Sequence, residues 1–89
     1  MRLENEIVIL SEDNKLNTLH IGSETNTTEL LLAATALSAA VLIKAKSEGY
    51  TNMEIDQIVS SVSTNSVLIS KQCESVYEIK NVINVKDVG

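Results

Sequence analysis

The chain has 89 residues, one cysteine (Cys73), one histidine (His20), no Phe, Trp or Pro, and a formal net charge of −5. A single thiol excludes an intrachain disulfide, and one His with one Cys argues against a metal centre. The acidic balance repels phosphate, which disfavours non-specific nucleic-acid binding and anionic membrane surfaces.

One small domain is expected, and a chain of this length buries only about 60–65% of its unfolded surface. With no disulfide or metal to add stability, helix packing and oligomerisation are the remaining routes. Acid is concentrated at the front: residues 1–29 carry six acidic and two basic side chains, and the rest six and five. The start, MRLENEIVIL, has acids where the basic region of a signal peptide would stand. Together with the lone thiol, this gives a cytoplasmic expectation.

Residues 3–10 and 16–22 read as a β-hairpin. EIVIL is a β-branched run, SEDNK a turn cluster, and LNTLHIG a second strand closed by Gly22. Period two places Leu19 and Ile21 on one face and His20, beside Thr18, on the other. A helix is predicted over 27–48. Asn26 and Glu29 form a capping-box pattern, Lys44 and Lys46 suit the C-terminal dipole, and Gly49 with Tyr50 supplies the C-terminal stop. A second capping box, Thr51 to Glu54, opens a helix over 52–62, whose Ile55, Ile58, Val59 and Val62 share one face. Beyond it, VLIS (67–70), VYEI (76–79) and VINV (82–85) read as short strands. A helix through Leu68, Gln72, Val76, Ile79 and Ile83 is the competing assignment. The fold class is therefore α+β: an N-terminal β-hairpin, a long apolar central helix, a short amphipathic helix and a strand-like C-terminal segment.

Residues 30–43, LLLAATALSAAVLI, contain no charge, Gly or Pro. At 1.5 Å per residue they cover roughly 21 Å, short of the ~30 Å hydrocarbon core of a bilayer. A soluble helix is therefore expected. On a helical wheel Leu30, Leu37 and Val41 form one ridge, Leu31 and Leu42 a second, and Leu32 and Ile43 a third. Between the third and the first runs a strip of small residues, Ala33, Ala36, Ala40 and Ser47. A hairpin and one short helix can cover about two of these faces, so the remaining one is an expected self-association surface; the alternative is that the C-terminal segment covers it within the same chain. The candidate residues of that surface are Ala33, Ala36, Leu37, Ala40 and Ile43.

No catalytic constellation emerges. Cys73 and His20 could act as nucleophile and base only if the fold joined them, and a buried thiol is the ordinary state of cysteine. The segment HIGSETNTTE is the one local anion-site candidate. Ser23, Thr25, Asn26, Thr27 and Thr28 cluster at a helix N-terminus, where free N–H groups attract phosphate or carboxylate. However, Glu24 and Glu29 repel anions, and no Lys or Arg lies between Lys15 and Lys44. Ordinary capping accounts for the same residues.

The segment SEGYTNMEIDQIV resembles the opening of the helix-turn-helix of LuxR-type response regulators, which often read E-G-x-[ST]-x-x-E-I-A. Glu48, Gly49, Tyr50, Thr51, Asn52, Glu54 and Ile55 match, and Val59 falls at an apolar core position. Asp56 departs from the small residue of the pattern, Val67 falls one residue late, and Lys71 is the only cation of the would-be recognition helix. A DNA-binding regulator is what this resemblance implies. More broadly, the order hairpin, Ala/Leu-rich helix, G-Y-T turn and second helix, over about residues 5–62, resembles the small accessory proteins of phages and prophages of Gram-positive bacteria. That resemblance implies a non-enzymatic, oligomeric protein that inhibits a host protein or sequesters a nucleotide signal. The functional expectation is a cytoplasmic, cofactor-free homo-oligomer that binds a host protein or a small anionic ligand. A DNA-binding regulator is the alternative.

Overall fold

The computed structural model describes residues 4–88, with side chains through Ile83. The first residue of the expected strand 3–10 lies outside that range. Strand β1 (Ile7–Glu12) pairs antiparallel with β2 (Lys15–Ile21) in a two-stranded sheet. The reversal falls on Asp13 and Asn14, both at positive φ (54° and 62°). Asp and Asn tolerate that region, and two such residues give a connection whose twist matches the strands. Ile7 faces Ile21 and Ile9 faces Leu19 on one side of the ladder; Val8 faces His20 on the other. A bulge between Leu10 and Ser11 shifts the register near the turn. Gly22 closes β2 for a packing reason. Its N–H donates to the Glu6 carbonyl at 2.9 Å, and a Cβ there would collide with the carbonyl of Glu4.

Helix α1 (Thr27–Ser47) has both ends built as the sequence implies. The Glu29 N–H donates to Asn26 Oδ1 at 2.9 Å, and the Asn26 N–H donates to Glu29 Oε1 at 3.1 Å. At the other end Gly49 sits at φ +88°, the Tyr50 N–H donates to the Ala45 carbonyl and the Gly49 N–H to the Lys46 carbonyl, each at 3.1 Å. This is a complete Schellman stop. Helix α2 (Asn52–Gln72) opens on the reciprocal Thr51–Glu54 box. A 3₁₀ turn (Val76–Glu78) then leads into α3 (Ile79–Val88).

The C-terminal third corrects the strand assignment. Residues 67–70 continue α2, residues 76–79 form the 3₁₀ turn and the first residue of α3, and residues 82–85 lie within α3. The amphipathic helix thus ends at Gln72 rather than 62. Its apolar stripe runs on from Ile55 through Ile58 and Val62 to Ile69 at helical spacing. The helix runs unbroken through the Ser/Thr/Asn stretch 63–66, where the Ser66 hydroxyl donates to the Val62 carbonyl at 2.6 Å. The competing helix through Leu68 and Ile83 is also not one element, because Cys73–Ser75 interrupts it.

Helices α1 and α2 run back alongside each other, and the turn at Gly49–Tyr50 forms one end of the molecule. In the hairpin, β2 touches both the 3₁₀ turn and α3, while α3 also packs on α2. The molecule is 40 Å long with a radius of gyration of 14.1 Å, against about 12 Å for a compact domain of this length.

Candidate functional site

Burial is scarce. Among the described side chains the buried apolar ones are Ala45 and Ile55, which meet where α1 turns into α2. The chain presents 6937 Å² of accessible surface, whereas a folded monomer of 9.7 kDa is expected to present about 5100 Å². The surplus is roughly 1800 Å², within the range of about 1000–2500 Å² that an obligate dimer removes from each partner.

Most of the exposed large apolar side chains are on the helices. Leu31, Leu32, Leu37, Val41 and Ile43 of α1 are exposed, as are Val59, Val62, Val67 and Leu68 of α2. Side-chain positions on α1 explain which face is covered. Ala45 is buried, Leu42 is half-buried, and Leu42 and Ser38 line the groove shared with α2. At 100° per residue these three share one side of the helix. Ala36, Ala40, Leu32 and Ile43 fall on the opposite side and are all exposed, while Ala33 is half-buried. Leu37 lies at the margin of that outer face, about half exposed. Of the five residues expected at a self-association surface, Ala36, Leu37, Ala40 and Ile43 are exposed, and Ala33 is half-buried.

Between α1 and α2 lies an apolar groove of about 270 Å³, bounded by Val41 and Leu42 on one side and by Ile58, Val59 and Val62 on the other. A wider, more polar groove of about 540 Å³ runs along α2 past Tyr50, Glu54, Ser61 and Asn65. A sequence reading that stops α2 at 62 leaves out Asn65, Ser66 and Ile69 of the wider groove, whereas the apolar groove is lined almost wholly by residues inside the two expected helices. The signal that could have located the wider groove is the continuation of the Ile55–Ile58–Val62 spacing to Ile69.

The hydroxyl-rich segment before α1 is committed to structure. Asn26 holds the cap, and the carboxylate of Glu29 sits on the cap N–H, the place an anion would take. Thr25 Oγ1 is buried without a hydrogen bond, while Ser23, Thr27 and Thr28 are exposed. Cys73 is half-buried in a cleft whose lining includes Ser70, Glu74 and Ile79 but not His20. His20 lies on β2 opposite Val8, with Nε2 buried and unbonded. The nucleophile–base pair considered from the sequence is thus not assembled around that cleft. Among the described residues no three His, Cys, Asp or Glu side chains cluster to hold a metal. The carboxyl of Glu54 lies below its ordinary value, because the backbone N–H of Thr51, and then the Thr51 hydroxyl, favour the ionised form.

The full length of α1 corrects the membrane estimate. The helix extends past the uncharged run at both ends to 21 residues, and an 18-residue window within it reaches a mean hydropathy of 1.6, so by length and composition alone it is long and apolar enough to cross a bilayer. Comparison with family models, curated proteins and solved structures finds no match to this chain.

Proposed function

We propose that this chain is a small, non-catalytic, cytoplasmic protein that acts as a homo-oligomer and binds a host protein, in the manner of the phage accessory proteins it resembles. The supporting observation is the number of large apolar side chains that the single chain leaves exposed, set against a buried apolar core of Ala45 and Ile55 among the described residues. Exposing so much Leu, Ile and Val costs about 1.5–3 kcal/mol per side chain relative to burial. Assembly recovers this cost. A net charge of −5 favours a basic surface on the host partner. Sequestration of a small anionic ligand is the weaker form of the proposal, since Glu29 occupies the helix N-terminus that would receive one. Native mass spectrometry of the protein purified from its own host tests both forms. A multiple of the chain mass carrying a stoichiometric host protein supports the first, and a retained nucleotide-sized mass the second. A bare monomer contradicts the proposal.

A second reading rests on α1 itself. Its 21 residues span roughly 31 Å at 1.5 Å per residue, enough for a bilayer core. In that case the exposed leucines face lipid rather than protein. Recovery in the membrane fraction after alkaline extraction favours this reading, and recovery in the soluble fraction favours assembly. The helix-turn-helix alternative gains nothing from the fold. Helix α2 runs unbroken through 63–66, where the turn would be needed, and Lys71 is the only base in its last turn.

A further inference from the structure

We propose that the uncovered face of α1 is closed by α1 of a second copy of this chain, packed antiparallel about a two-fold axis between Ala36 and Leu37, with Glu29 of each copy beside Lys44 of the other. This rests on the homo-oligomer reading above and specifies its geometry.

The face is bounded by opposite charges. At 100° per residue, Glu29, Ala33, Ala36, Ala40 and Lys44 fall along one side of the helix, directly away from the side that Ala45 and Leu42 turn to α2. Glu29 stands at the N-terminal end and Lys44 at the C-terminal end, about 22 Å apart at 1.5 Å per residue. A parallel copy would set Glu29 against Glu29 and Lys44 against Lys44. An antiparallel copy sets each acid against a base. A single axis satisfies the whole face: when Glu29 meets Lys44, Ala33 meets Ala40 and Ala36 meets Leu37. The face is thus complementary to itself, which selects a second copy over a foreign partner.

Packing and area agree. Leu32 and Ile43, 66% and 69% exposed, flank the strip on one side and Leu37, at 49%, on the other. Alanines along the middle let the helix axes approach to the lower end of the usual 8–10 Å, so that these larger side chains reach the partner's flanks. Lys44 has one local partner, in a long and exposed ion pair, and Glu29 keeps its second carboxylate oxygen beside the one that accepts the Asn26 N–H. Its Nζ lies 3.9 Å from Glu48 Oε2, yet the side chain is 74% exposed. The surplus of roughly 1800 Å² per chain is what such an interface, extended by the neighbouring ridges, would remove.

Disulfide trapping in the full chain tests the register. In a Cys73→Ser background, Ala33→Cys and Ala40→Cys are prepared separately. Each is oxidised mildly alone, and then both after being mixed, unfolded and refolded together. Helical content and sedimentation of each variant establish that it folds and self-associates as the parent does. In the antiparallel register the thiols of either variant alone lie about 10 Å apart along the axis, beyond the ~7 Å Cα limit of a disulfide. Each should therefore stay unlinked alone, and the mixture should give a covalent pair. Cross-linking of either variant alone overturns the register. A dimer with no cross-link in any combination overturns the use of this face but leaves the homo-oligomer standing. A parent that sediments as a monomer overturns both.

Discussion

Replacing Ile43 by Ala separates a monomer from an assembly by the size of the stability loss. Ile43 is 69% exposed in the single chain. Only about a third of a burial worth 1.5–3 kcal/mol is then at stake, and the loss should be about 0.5–1 kcal/mol if the chain acts alone. If the face is buried against a second copy, the substitution removes a packed side chain from each protomer at about 2–5 kcal/mol apiece. The assay is urea unfolding followed by helical circular dichroism at two protein concentrations a hundredfold apart. The parent midpoint should rise with concentration, since unfolding of a dimer consumes the assembly. Ile43→Ala should lower it by more than a monomer's loss allows. A loss below about 1 kcal/mol with a concentration-independent midpoint would refute the assignment of this face to an interface.

Three further outcomes are expected. Gly22→Ala should cost about 1–3 kcal/mol, because the Glu4 carbonyl must move to admit the new Cβ; an unchanged thermal midpoint would contradict this. Asn26→Ala should cost roughly 0.5–2 kcal/mol through loss of the cap without changing the solution mass or partner binding. Selective loss of binding at unchanged stability would reinstate the anion site. Because the folded carboxyl of Glu54 is held below its ordinary 4.5, its contribution is fully present above that value and is lost as pH falls through the lowered one. Thr51→Val removes the hydroxyl bond but keeps the larger one from the backbone N–H, so it should raise the Glu54 pKa only part of the way toward 4.5 in an NMR titration, and an unmoved value would show that the hydroxyl does not contribute.

Legibility in the sequence followed local chemistry. Both capping boxes, the Gly49 stop and the polar turn of the hairpin were readable because side-chain oxygens, a glycine and two Asx residues act within a few positions of themselves. The limits of α2 were not. Val67, Ile69 and the later valines and isoleucines carry β-branched preference, yet they lie in α2, the 3₁₀ turn and α3. Gly22 looked like a strand terminator, whereas its contact with Glu4 is a tertiary one. The uncovered face of α1 could be anticipated from the ring of leucines. The groove between α1 and α2 could not, because neither helix alone fixes which of its faces meets the other. The anion-site candidates shared the sequence signature of a cap, and only the hydrogen bonds of Asn26 and Glu29 tell the two apart.

Sedimentation equilibrium of the unmodified protein at micromolar concentration bears most directly on assembly through α1. A mass at an integral multiple of 9.7 kDa, dissociating only on strong dilution, is the predicted result. A single species at 9.7 kDa across the whole range, soluble without detergent, would contradict the account.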